Sequence, residues 1–135
     1  MVLLIDTNIV LDYLLKRQGF YDDAKCVMQM CSEEKVSGCI ALHTITTIWY
    51  ILRKTPDTTR RIVLKSICEL LEVVGTTHEE VIDALDATEF KDFEECIQST
   101  CAKTAGVDYI ITRNISDFAH SEIPVMTPKE LFEAV

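Results

Sequence analysis

Residues 1–8 read Met-Val-Leu-Leu-Ile-Asp-Thr-Asn. Val2–Ile5 is a continuous apolar run that stops at Asp6. A strand exposed on one face would alternate polar and apolar residues. An unbroken run fits a parallel strand covered by helices on both faces. Asn8–Leu15 then has helical character, so the chain opens strand–helix.

The same alternation continues outward. Gly19 breaks the first helix, and Tyr21–Cys31 resumes with Ala24, Val27, Met28 and Cys31 at helical spacing. Val36–Ala41 reads as a second strand and His43–Lys54 as a dense apolar helix. Thr55-Pro56 stops it and restarts a helix over Asp57–Leu70, because proline suits a first helical turn. Glu72–Val74 is a short strand closed by Gly75. Thr77 and Glu80 have capping-box spacing and open a helix through Ala87. Asp92 and Glu95 repeat that spacing before a helix through Ala105. Its apolar face is read as Phe93, Cys96, Ile97, Thr100, Cys101 and Thr104. Gly106 ends it. Tyr109–Thr112 and Val125–Met126 are strands, and Thr127 to Glu130 caps a last helix. This order predicts an α/β fold: a three-layer α/β/α sandwich with a central parallel sheet, as one domain over 1–135.

Composition narrows the function classes. The 135 residues carry 13 Lys and Arg against 22 Asp and Glu, a net charge of −9. Bulk positive charge that would coat nucleic acid is absent, though a local basic patch is compatible with this balance. No apolar run reaches the roughly 20 residues of a membrane span. The first residues lack the basic segment of a secretion signal, so a cytoplasmic protein is expected. Six cysteines, at 26, 31, 39, 68, 96 and 101, show no C-x-x-C pair and no histidine at ligand spacing. They are read as reduced, buried thiols.

In parallel sheets, sites form at the carboxyl ends of strands. The first strand ends in Asp6-Thr7-Asn8, and Tyr109–Thr112 is followed by Arg113, Asn114 and Asp117. Asp92, Glu94 and Glu95 open the helix that feeds that strand. Such an oxygen-rich cleft suits a hard divalent cation. Each residue also has a plain structural reading. Asp6 can cap a helix, Asp92 and Glu95 can form a capping box, and Asn114 and Asp117 can shape a turn. His43 reads as structural.

Three blocks together carry a resemblance. They are Leu-Leu-Ile-Asp-Thr-Asn at 3–8, Asp-Phe-Glu-Glu at 92–95 with the Cys-Ile-Gln-Ser-Thr-Cys-Ala that follows, and Ile-Thr-Arg-Asn-x-x-Asp-Phe at 111–118. In this order and spacing the chain resembles the PIN-domain family, which includes VapC-type ribonuclease toxins of toxin–antitoxin pairs. The resemblance implies a Mg²⁺- or Mn²⁺-dependent endoribonuclease acting on single-stranded RNA, with an antitoxin protein as possible partner and a homodimer as its assembly. It also implies that Asp6, Glu95 and Asp117 hold the metal and that Asn114 joins them in the catalytic set. Thr7, Asn8, Asp92 and Glu94 would support them. The family's second acid falls on Thr47, a neutral hydroxyl. That departure implies weaker metal binding. It keeps open a second reading, a weakly active or inactive module that binds RNA or protein.

Substrate contact is expected from Lys16, Arg17, Arg53, Lys54 and above all Arg113, whose guanidinium can grip a phosphate through two bonds. Arg60, Arg61 and Lys65 form a further basic group. A receiver domain needs adjacent acids after its first strand, and a haloacid-type phosphatase needs an acid two residues after Asp6. Thr7 and Asn8 stand in those places.

Overall fold

The computed structural model describes residues 1–135. Five strands form one parallel sheet: β1 (Val2–Ile5), β2 (Ser37–Ala41), β3 (Glu72–Val74), β4 (Tyr109–Ile111) and β5 (Val125–Met126). Their order is β3-β2-β1-β4-β5. The chain winds outward from β1 in one direction, then returns to its other side. The order therefore reverses between β1 and β4, which opens a crevice at their carboxyl ends. Asp6 directly follows β1, and its backbone N–H extends the ladder to the Ile111 carbonyl at 2.9 Å.

Seven helices cover the sheet: α1 (Thr7–Leu14), α2 (Tyr21–Ser32), α3 (Leu42–Ile51), α4 (Asp57–Leu70), α5 (His78–Asp86), α6 (Phe93–Ala105) and α7 (Pro128–Ala134). A one-turn 3-10 helix spans Ile115–Phe118. Side chains alternate across the strands, which divides the core in two. Leu3, Ile5, Ile40 and Ile111 pack with α1, α2 and residues of α4 and α7 on one face. Leu4, Cys39, Ala41 and Ile110 pack with Cys101, Ala102 and Phe118 on the other. The expected three-layer sandwich is the observed architecture. No helix is long and apolar enough to cross a membrane.

Several boundaries differ from the sequence reading. The third helix ends at Ile51, not Lys54, and Leu52 to Thr55 turn through short-range backbone bonds. Pro56 disfavours helical backbone in the residue before it, which shortens the run. Val36 donates to the Met30 carbonyl and so belongs to the turn that follows α2 rather than to the sheet. Two cysteines, Cys26 and Cys68, are exposed, because they lie on outward faces of α2 and α4. On α6 the buried set is Cys96, Gln98, Ser99, Cys101 and Ala102, while Phe93 is exposed. The inward face is thus rotated towards polar residues, and Gln98 becomes important below.

Gly38 marks a tight contact within β2. A Cβ there would lie 2.5 Å from Leu71 Cδ2 and 2.8 Å from Cys31 Sγ. Gly38→Ala is therefore expected to lose about 1–3 kcal/mol through overpacking, read as a lower urea midpoint. An unchanged midpoint would mean that Leu71 and Cys31 move aside without cost.

Candidate active site

Asp6 is only 2% exposed, at the crevice between β1 and β4. Its carboxylate meets no cationic side chain. Gln98 Nε2 donates to Oδ1 at 2.9 Å, and the Thr112 hydroxyl donates to Oδ2 at 2.8 Å. Burial raises its pKa above the ordinary 3.8, and the bonds from Gln98 and Thr112 oppose that rise. Asp6 occupies the N-cap position of α1, yet its side chain makes no capping hydrogen bond.

The donors are themselves held. The Gln98 carbonyl oxygen accepts from the Thr7 N–H at 3.3 Å, so the amide donates to Asp6 and accepts from its neighbour. Thr7 and Thr44 share a hydroxyl–hydroxyl bond of 2.7 Å, which ties α1 to α3. Thr112 Oγ1 accepts from the Asn114 N–H at 3.1 Å, which ties the end of β4 to the following turn. α6 and the end of β4 thus meet at one carboxylate, and Thr44 of α3 joins the same group through Thr7.

Glu95 lies three residues before Gln98, one turn earlier along α6. Burial pushes its pKa up to about 7, helped by a hydrogen bond with the Asp92 side chain and the charges of Asp92 and Asp6. Its Oε2 is buried and has no hydrogen-bond partner. The expected capping box does not form. Asp92 accepts from the Glu94 N–H at 2.7 Å, but Glu95 does not reach back to complete the pair. His43 is drawn into the same neighbourhood. Its Nε2 is buried and unpartnered, 3.6 Å from Glu94 Oε1. Burial lowers the His43 pKa, against the opposing charges of Glu94 and Asp6.

The other expected residues are placed differently. Thr47 is half-buried on α3, one turn after His43, and makes no hydrogen bond; Thr44 is the α3 hydroxyl that joins the Asp6 group. Asp117 is exposed in the 3-10 helix, and its side chain makes neither a hydrogen bond nor an ion pair. No three Asp, Glu, His or Cys side chains lie close enough to ligate one ion directly.

Arg113 and Arg17, expected at a phosphate, are committed to a buried acid. Asp12 is fully buried. Arg113 Nε reaches its Oδ2 at 2.9 Å, and Arg17 Nη1 reaches its Oδ1 at 3.2 Å. Arg17 also donates to Asn8, and the Arg113 guanidinium lies 4.0 Å over the Phe20 ring. A buried carboxylate demands such partners, and it takes them before a surface ligand can. Lys16 stays exposed, with left-handed backbone at φ 49°.

The sequence profile of the PIN domain matches residues 2–116. The chain belongs to the PIN domain family. The family therefore extends over the whole of the sheet up to β4 and the turn that follows it, including Asp6, Glu95 and Asn114. Ribonuclease VapC1 of Aquifex aeolicus strain VF5 is 26% identical over 133 residues, covering 96% of this chain and 92% of that protein. Among solved structures, VapBC-1 from nontypeable Haemophilus influenzae superposes with a TM-score of 0.70 at 13% identity, covering 96% of this chain and 99% of that one. A toxin–antitoxin complex from Klebsiella pneumoniae gives 0.68 at 23% identity, covering 93% and 96%. At such identities the structural likeness speaks for the PIN fold alone.

Gln98, Thr112 and Asp12 carry functions of placement that the sequence reading passed over. One signal was available for Gln98: an uncharged polar residue on a helix between Ile97 and the Cys101-Ala102 pair. Gln98→Leu would leave both Asp6 Oδ1 and the Thr7 N–H without their partner. The variant is expected to lose about 1–3 kcal/mol in chemical denaturation. A loss no larger than that of an exposed substitution would show that water replaces Gln98 freely.

Proposed function

We propose that this PIN domain is a divalent-metal-dependent endoribonuclease acting on single-stranded RNA, and that it serves as the toxin of a toxin–antitoxin pair. The observation that carries this reading is an uncompensated negative site. Asp6 is buried with neutral donors only, and Glu95 beside it holds a buried oxygen with no partner. Like charges crowded in this way favour a bound cation. The full-length match to a ribonuclease supports the RNA substrate, and an RNA substrate supports a cytoplasmic protein. The toxin–antitoxin neighbours support an antitoxin partner.

The donors fit Mg²⁺ or Mn²⁺. Both are hard enough to prefer oxygen, and Mg²⁺ is commonly held by one or two carboxylates plus water and substrate phosphate. Asp6 and Glu95 would hold the ion. When bound, such an ion polarises phosphate oxygens and lowers the pKa of water. The chain's own residues do the rest. Gln98 and Thr112 fix the Asp6 carboxylate. Asp92 and Glu94 keep the approach negative and so favour a cation over a bare phosphate. Asn114 and Asp117, on the turn after β4, are assigned to the rim that substrate or ordered water meets. A homodimer is the proposed assembly, for which Leu42 at the start of α3 offers an exposed apolar side chain.

A second reading has its own observation. Thr47 supplies no charge where the family's second acid falls, and no third ligand stands at direct coordination distance. A chain that binds RNA or a protein partner with weak or no cleavage would follow from that. Cleavage of single-stranded RNA by purified protein in Mn²⁺ separates the two. Asp6→Asn keeps the shape, because the Thr112 hydroxyl can turn to accept from the new amide. It is expected to reduce cleavage at least about a hundredfold, roughly 2.7 kcal/mol in barrier, with an unchanged circular dichroism spectrum. Equal cleavage by both forms would sink the nuclease reading.

A further inference from the structure

The positive charge of this acidic chain is unevenly spread. Between residues 53 and 65 stand Arg53, Lys54, Arg60, Arg61 and Lys65, with Asp57 as the only acid. That segment is the turn from α3 into α4 and the first nine residues of α4. Its local balance is +4, in a chain whose total is −9. A concentrated basic segment on an acidic protein is the footprint of a polyanionic partner rather than of solubility.

Flat groups are interleaved with these charges. The Arg60 guanidinium lies 3.8 Å over the Trp49 ring, and that of Arg61 lies 5.3 Å from the same centroid. Arg53 sits 4.5 Å over Tyr50. Arg60 Nη1 also donates to the Trp49 carbonyl at 3.2 Å, which fastens α4 to the end of α3. Arg60 and Trp49 are therefore the foundation of the patch. Its solvent-facing surface is Tyr50, 62% exposed, with Lys54 and with Arg53, whose Nη1 donates to the Tyr50 carbonyl at 3.2 Å. Lys54 and Lys65 have no acidic partner.

We propose that the α3–α4 turn is a stacking platform for single-stranded RNA, with Tyr50 receiving a base and Arg53 and Lys54 receiving the adjoining phosphates. Aromatic and guanidinium planes stack on any base, whereas an acidic peptide uses the charges and leaves the rings idle. Tyr50 lies six residues beyond Thr44 of the Asp6 network, about 9 Å of axial rise along α3 but on a different side of the helix, so the platform is a surface separate from the Asp6 crevice. The choice of RNA rests on the ribonuclease reading, but the platform is tested without cleavage.

Trp49 is the only tryptophan in the chain, so its fluorescence reports on the platform directly. The whole protein is titrated in EDTA with a ten-nucleotide oligoadenylate, with a duplex RNA of equal length, and with polyglutamate. The oligoadenylate is expected to quench Trp49 and to bind more weakly as salt rises. Arg53→Ala with Lys54→Ala should reduce the log–log salt slope by about 1.4, at about 0.7 per charge on a single strand. Tyr50→Leu should weaken binding about tenfold and leave the slope unchanged. Both changes fall on exposed residues, and circular dichroism verifies the fold. Absence of quenching by oligoadenylate would overturn the proposal. So would unchanged affinity in both variants, or equal quenching by polyglutamate or duplex. Platform binding by a chain that cleaves nothing would count against the nuclease reading alone, and cleavage without quenching would count against the platform alone.

Discussion

Burial of the Asp6 carboxylate is the constraint from which the site follows. Taking an ion out of water costs several kcal/mol unless it is hydrogen-bonded and its charge is met. Here the hydrogen bonds come from Gln98 and Thr112, and neither brings a positive charge. To place those two donors, α6 and the end of β4 have to reach the carboxyl end of β1. The reversal of strand order between β1 and β4 makes that possible. Thr7, Thr44 and Asn114 then hold the donors or their neighbours in place. Sheet topology and site geometry are therefore one arrangement.

A second buried acid shows what the first lacks. Asp12 lies on the same helix and is fully buried, but Arg17 and Arg113 neutralise it. Its ion pairs anchor the loop after α1 and the residue that follows Thr112. Asp6 keeps its charge unneutralised, and Glu95 next to it rises to about 7 through burial and the charges of Asp92 and Asp6. The consequence for stability has a definite sign. An acid whose folded pKa lies above its unfolded one favours folding most fully at low pH, and that contribution is lost as pH rises. For Glu95 the loss runs from about 4.5 through about 7 in the metal-free protein. A cation that binds both carboxylates removes the penalty.

Much of the fold was legible in the residues. The apolar runs Val2–Ile5 and Tyr109–Ile111 are strands because both their faces are covered. Gly106, in left-handed backbone at φ 66°, ends α6 as expected. The site was legible in part. Asp6 and Glu95 stand out as acids at a strand end and a helix start, positions that pattern alone identifies. Gln98 and Thr112 did not stand out, because their importance lies in contacts to Asp6 across 92 and 106 residues. Arg113 looked free because its partner Asp12 is 101 residues away in sequence. Long-range pairing of this kind leaves no local signature. Periodicity on α6 misled for a related reason. Gln98 and Ser99 are buried to serve polar partners, whereas the apolar Phe93 is left at the surface.

The central claim is that Asp6 and Glu95 share an uncompensated negative site. Carbon-detected NMR titration of the Glu95 side-chain carboxyl, in metal-free protein, tests it most directly. The account predicts a midpoint near 7 for the wild type. It also predicts a lower midpoint in Asp6→Asn, where one repelling charge is gone, and a lower one again when Mg²⁺ or Mn²⁺ is added to the wild type. An ordinary glutamate midpoint, unmoved by Asp6→Asn and by either ion, would contradict it.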